Sequence, residues 1–192
     1  MVGNIPNFTK IDILRCFLRF NRKVSRQELS KKLELGEGTI RTILQMLKSK
    51  NLLSSTKKGH FLSKNGAELL AEIKKCISLP KRFAVSNLYP EFKKIGIVMK
   101  KEDNLREVYR LRDLAVKSGS EGALILKFNN RLYAPESGFE QDYSELEKCF
   151  ELDNDNILII AFSASNRSAE NGALAIAIEL CEPLKKFISN FE

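Results

Sequence analysis

The chain has 192 residues, of which 43% are hydrophobic and 29% charged. Those proportions fit a soluble globular protein built as one large domain or two small ones. Its apolar runs, at 122–128 and 157–162, are too short to cross a bilayer, and the opening "MVGNIPNFTKIDIL" lacks the basic and apolar regions of a signal peptide.

The net charge of +8 is unevenly spread. Residues 1–92 carry 18 Lys/Arg against 7 Asp/Glu, and residues 93–192 carry 14 against 17. A basic part joined to a mildly acidic part points to a polyanion-binding region and a region with another task. Cys16, Cys76, Cys149 and Cys181 are widely separated, and none forms a C-x-x-C pair. Buried free thiols, a reducing cytoplasm and no structural metal are the expectation.

From Phe8 to about Phe20, Ile11, Ile13, Leu14, Phe17 and Leu18 recur at helical spacing and predict a first helix. Ser25-Arg26-Gln27-Glu28 fits a capping box, with the Ser25 hydroxyl accepting from the Glu28 N–H and the Glu28 carboxylate reaching back to the Ser25 N–H. The second helix then buries Leu29 and Leu33, and Gly36 is expected to end it in the left-handed conformation. A third helix starts near Glu37 or Gly38. Its core face is Ile40, Ile43, Leu44 and Leu47, and its other face is Thr39, Arg41, Thr42, Gln45 and Lys48. Two short strands, 52–56 and 60–63, flank Lys57-Lys58-Gly59 and predict a hairpin with a basic tip. A fourth helix, Lys64 to Ile77, packs back through Leu69, Leu70 and Ile73, with Pro80 as its limit.

This order resembles the winged helix-turn-helix family over about residues 8–78. The resemblance rests on "ELSKKLELGEGTIRTILQMLKSKNLL", on "GHFLS" and on "LSKNGAELL". It implies that the third helix lies in the major groove of double-stranded DNA, with the hairpin on the sugar-phosphate backbone or in the minor groove. Arg41 is then the candidate for a guanine edge and Gln45 for an adenine edge, with Thr39 and Thr42 beside them. Lys48, Lys57 and Lys58 are candidates for phosphate contacts. His60, the sole histidine, either meets a phosphate from the wing or is a plain surface residue. Gly38 would keep the start of the third helix free of bulk where a phosphate approaches.

Residues 78–94, bracketed by Pro80 and Pro90, read as a linker running into a first strand, so the domains are expected to be 1–80 and 81–192. "KIGIVMK" predicts a strand, and "NLREVYRLRDLAVKSG" a helix with Leu105, Val108, Leu111, Leu114 and Ala115 on one face. "GALILKF" and "RLYAPES" predict strands on either side of a turn at Asn129-Asn130. Residues 137–155 are polar and acidic, with a helical turn or two around Tyr143 to Phe150. "NILIIAFSAS" is the most apolar strand and leads into a long helix that Pro183 should kink or split. The expected fold class is α+β: a winged helix-turn-helix followed by a small two-layer α/β sandwich with a mixed or antiparallel sheet.

"LRDLAVKSGSEGALILKFNNRLYAP" is similar to the insert domain of bacterial aspartyl-tRNA synthetases and of an amidotransferase subunit, with Gly119, Ser120, Glu121 and Gly122 at the turn and Ser120 in place of alanine. The whole arrangement resembles an archaeal family of two-domain winged-helix proteins whose function is not established.

No catalytic constellation is legible. The sole histidine lies in the wing, "GSEG" follows a helix rather than a strand, and Asp153 and Asp155 fit a solvated turn. No cofactor is expected. The passage "IIAFSASNRSAENGA" runs from a buried strand into a helix start, so Ser163, Ser165, Asn166, Arg167 and Ser168 either hold a small anionic effector or cap the helix. Gly172, Ala173, Ala175 and Ala177 imply close packing on the sheet or on a second subunit. The reading that follows is a cytoplasmic DNA-binding transcription regulator, a homodimer without enzymatic activity. The alternative is an RNA- or tRNA-associated module, and an enzyme built on the C-terminal domain is the third option.

Overall fold

The computed structural model describes residues 7–100, 105, 107–135, 137 and 141–191. The chain divides into two compact units, Met1–Glu72 with Lys186–Glu192, and Ile73–Lys185. The expected division at residue 80 is a single cut, whereas these units need two. The physical reason is aromatic burial. Phe187 has no exposed surface, and its ring centre lies 5.0 Å from that of Phe17 and 5.1 Å from that of Phe191. Phe187 and Phe191 of "KFISNF" therefore complete the core of the first unit.

In that unit, α1 (Lys10–Phe17) starts with a capping box at Thr9, whose N–H donates to the Asp12 carboxylate at 3.0 Å. It ends three residues before Phe20, because bonds from Arg19 N to Cys16 O and from Phe20 N to Phe17 O tighten the chain out of the α-helix. α2 (Arg26–Leu33) has Ser25 as its cap, accepting from the Glu28 N–H at 3.2 Å. The expected return bond from Glu28 gives way to ion pairs with Arg22 and Lys32. Hydrogen bonding from Lys32 leads the causes that hold the Glu28 carboxyl below the usual carboxylate range.

The turn after α2 corrects a second expectation. The left-handed residue is Glu34, at φ 57° and ψ 43°, whereas Gly36, at φ −61° and ψ 148°, is the N-cap of α3 (Glu37–Ser49). What ends α2 is reached from α1. Arg15 Nη1 donates to Asp12 Oδ1 at 2.9 Å and to the Leu33 carbonyl at 3.2 Å, and both charged side chains are fully buried. Leu33 is the last residue of α2, whose carbonyl has no partner within its own helix. A buried guanidinium supplies one.

α3 buries Ile40, Ile43, Leu44 and Leu47 as the periodicity requires. The strands β1 (Leu53–Thr56) and β2 (Gly59–Leu62) pair antiparallel, and Val24 adds a bridge to His60 with both backbone bonds at 2.9 Å. α4 (Lys64–Cys76) begins where Ser63 accepts from the Gly66 N–H at 3.0 Å. A Cβ on Gly66 would collide with the Leu52 carbonyl, so only glycine lets α4 lie this close to the chain just before β1.

The second unit holds a five-stranded sheet in the order β3-β4-β7-β5-β6, antiparallel throughout. The strands are β3 (Lys81–Phe83), β4 (Lys93–Met99), β5 (Gly122–Asn129), β6 (Arg131–Tyr133) and β7 (Ile157–Ser163). β3 lies inside the expected linker. The central β7 is buried along its whole length, in keeping with its composition. α7 (Asn166–Leu180) packs on β7 and β4, and α5 (Val108–Lys117) on β5 and α7. A Cβ on Gly172 would press on Ser120 and Ala161, so the small residues of α7 serve close packing on the sheet. The opposite face carries a second cluster, including Leu88, Val98, Leu126, Leu158 and Ile160, and is closed by the loop before β4 and by α6 (Ser144–Glu147). α7 and α8 (Glu182–Ser189) separate at Cys181, just before Pro183. All four cysteines are free thiols.

Replacing Arg15 with Met takes the guanidinium away from the buried Asp12 carboxylate and from the Leu33 carbonyl. Urea denaturation should show a loss of about 3–5 kcal/mol. A loss under about 1 kcal/mol, the scale of an exposed pair, would show that the pair does not tie α1 to α2.

Candidate nucleic-acid interface

The heptad-like spacing that buries one face of α3 leaves the other outside. Arg41, Thr42 and Gln45 are exposed, and Thr39 and Lys48 are half-buried. The Thr42 hydroxyl donates back to the Gly38 carbonyl at 3.3 Å, while Lys48 Nζ donates to Ser55 Oγ at 2.8 Å and so joins α3 to the hairpin. At the start of the helix, Arg26 pairs with Glu37 at 3.3 Å.

Two sets of cations in the first unit differ in their surroundings. Arg15, Arg22, Arg26 and Lys32 each meet a carboxylate. Arg41 on α3 and Lys57 and Lys58 at the hairpin tip are exposed, and their side chains make no hydrogen bond or ion pair among the described residues. Part of the unit's uncompensated charge thus lies on the outer face of α3 and at the hairpin tip, and Lys31, Lys50 and Lys64 carry more of it elsewhere.

Gly36 and Gly38 show the same openness. Neither has a positive φ, and a Cβ on either would meet nothing within 4 Å. Nothing in the protein's own packing or backbone requires glycine at these positions. The clear space at the start of α3 sits where the first-turn N–H groups are exposed to a ligand.

His60 is placed differently from a simple wing residue. Its backbone is tied to Val24, and its half-buried imidazole has an Nδ1 with no hydrogen-bond partner among the described residues. Burial, then the nearby Lys48 and Arg26 cations, hold its pKa below the ordinary histidine value. Sequence spacing alone could not have joined Arg26, Lys48 and His60, because three different elements bring them together.

The second candidate group lies in the other unit. Ser163 is buried at the end of β7, and Ser165 caps α7 by accepting from the Ser168 N–H at 3.0 Å. Asn166 is the first residue of α7 and lines a surface cavity, while Arg167 and Ser168 are half-buried behind it. Among the described residues no cluster of His, Cys, Asp or Glu could hold a metal ion, and no helix is long and apolar enough to cross a membrane.

Residues 11–68 match the family described as PH0730-like, N-terminal domain, and residues 90–180 match the one described as Domain of unknown function (DUF4443). Hypothetical protein PH0730 from Pyrococcus horikoshii OT3 is 26% identical, with 94% of this chain and 100% of that chain covered and a TM-score of 0.78. This chain is thus similar, over nearly its full length, to a two-domain archaeal protein. An IcIR transcriptional regulator from Alicyclobacillus acidocaldarius aligns over 95% of this chain and 97% of that one, at 10% identity and a TM-score of 0.29, too low to carry weight. No curated protein matches the chain. The resemblance to the aspartyl-tRNA synthetase insert is not among these findings.

A phosphate brought against His60 would offset the surrounding positive charge. Proton NMR of the imidazole should show a pKa below the free histidine value in the isolated protein and a rise when duplex DNA is added. Because binding then takes up a proton, affinity should increase as pH falls through that range. An unchanged titration on saturation with DNA would place His60 outside the interface.

Proposed function

We propose that the chain is a DNA-binding transcription regulator whose α3 enters the major groove and whose β1–β2 hairpin follows the phosphate backbone. The observation that carries this reading is the unmatched charge of Arg41, Lys57 and Lys58 beside a glycine-cleared helix start. An isolated cation on a surface is ordinary. Unpaired cations on one helix face and one hairpin tip, in a half of the chain that carries 18 Lys/Arg against 7 Asp/Glu over residues 1–92, suit a polyanion.

The roles divide by chemistry. Arg41 has the planar donor fork that matches guanine O6 and N7, and Gln45 can pair with an adenine edge. Lys57 and Lys58 neutralise phosphates and contribute affinity without sequence information. Thr39 and Thr42 flank the base-reading residues, and Lys48 with His60 lines the angle between helix and hairpin. One winged helix touches few base pairs, so useful specificity calls for a homodimer on an inverted repeat, with the second unit supplying dimerisation or effector binding. On this reading the protein works by binding rather than by catalysis, in the cytoplasm.

Arg41→Ala should weaken binding to a selected duplex site by about tenfold to a hundredfold, the worth of a bidentate base contact, and barely change binding to random duplex. Equal loss on both would remove Arg41 from base reading. The Lys57→Ala/Lys58→Ala double variant should lower the slope of log affinity against log salt by about two; an unchanged slope counts against phosphate contact by the wing. Tighter binding of tRNA than of any duplex DNA, competed on the same sample, would favour the RNA-associated alternative.

A further inference from the structure

Alternation along β4 puts Lys94, Gly96 and Val98 on the same side of the sheet. Val98 belongs to the apolar cluster there, and a Cβ on Gly96 would meet the Phe150 ring. Lys94 breaks the pattern. It is an ionisable residue, only 5% exposed, on a face otherwise built from hydrocarbon and aromatic rings. Buried lysines ordinarily have a carboxylate partner. Lys94 Nζ has one hydrogen bond, to the Phe92 carbonyl at 3.0 Å, and its remaining N–H groups have no protein acceptor among the described residues. Burial drives its pKa below the ordinary lysine value and Lys93 adds to this; Glu91 opposes the shift but forms no ion pair with it.

The side chain is not sealed in. Lys94 lines a cavity of about 700 Å³ where β3 meets β4, with Arg82 and Lys93 at the rim, Phe83 and Phe92 on the apolar wall, and Asn166 at the start of α7. That volume accommodates a small organic molecule. α7 runs for 15 residues, so the positive end of a long helix begins at the same cavity. A buried ammonium with spare donors, the exposed Lys93 at the rim and a helix start all favour negative charge. The phenylalanines give the rest of a ligand an apolar surface.

We infer that this cavity binds a small organic anion, a carboxylate or phosphate group carried on an apolar body, with Lys94 as its central contact. The site differs from the one the sequence suggested. Of Ser163, Ser165, Asn166, Arg167 and Ser168, only Asn166 reaches the cavity, while Ser165 caps the helix. As an effector site it deepens the regulator reading and rests on that reading for its role, but not for its existence.

The test is calorimetric titration of the full chain, without DNA, using phenyl phosphate and benzoate as probes. Inorganic phosphate and phenol serve as the separated halves. At least one whole probe should bind once per chain and more tightly than either half, and the stronger of the two identifies phosphate or carboxylate as the preferred group. Lys94→Met should weaken that probe by about tenfold or more while leaving the melting temperature equal or higher, because it removes an unmatched buried charge. Lys93→Ala, at the exposed rim, should weaken it by a smaller factor, and decides the matter if Lys94→Met does not fold. No binding of either probe, or unchanged binding in the folded variants, overturns the site. Probe binding by a protein that ignores duplex DNA would overturn the regulator reading and leave the cavity standing.

Discussion

A single buried guanidinium decides how the first unit can present anything to the outside. Arg15 joins the Asp12 carboxylate, one turn earlier on its own helix, to the carbonyl that closes α2. Burying both charges has a desolvation cost, so the pair is no simple source of stability. Its effect is geometric. Once the end of α2 is held by α1, the left-handed Glu34 and the extended Gly36 direct the chain into α3, and four apolar residues of α3 lock into the core. The polar face of the same helix then has only one direction left, outward. Arg41 and Gln45 on that face can remain unpaired because the fold does not depend on them.

The amphipathic elements were legible before any coordinates. The 3.6-residue period of α3, the hairpin around Lys57-Lys58-Gly59, the apolar run of β7 and the break at Pro183 are local patterns, and local chemistry produces them. What stayed hidden depended on partners distant in sequence. Gly36 looked like a helix terminator because glycine often is one, yet Glu34 takes the left-handed position. The Ser25 box formed by half, because Arg22 and Lys32 compete for Glu28. Nothing in "KKFISNF" says which core its phenylalanines will join.

The candidate sites divide along the same line. Helical phase alone placed Arg41 and Gln45 outside. The grouping of His60 with Lys48 and Arg26 requires α2, α3 and β2 to meet. Lys94 was the most concealed. "KKIGIVM" opens with two lysines, and only the register of β4 against β3 and β7 decides that the second turns inward. A residue that violates the alternation of its strand is where local consistency fails, and such failures tend to gather at sites with work to do. Unpaired cations such as Arg41, Lys57 and Lys58 lie on the outside of the first unit, whereas Lys94 is a cation turned into the second.

On the proposed function, the outer face of α3 and the hairpin tip read duplex DNA. Selection of bound sequences from random duplex DNA by the full chain, with the complex sized by light scattering, tests it most directly. An enriched inverted repeat bound by two chains is the expected result. Recovery of no preferred sequence, with a complex that forms equally on any duplex, would contradict it.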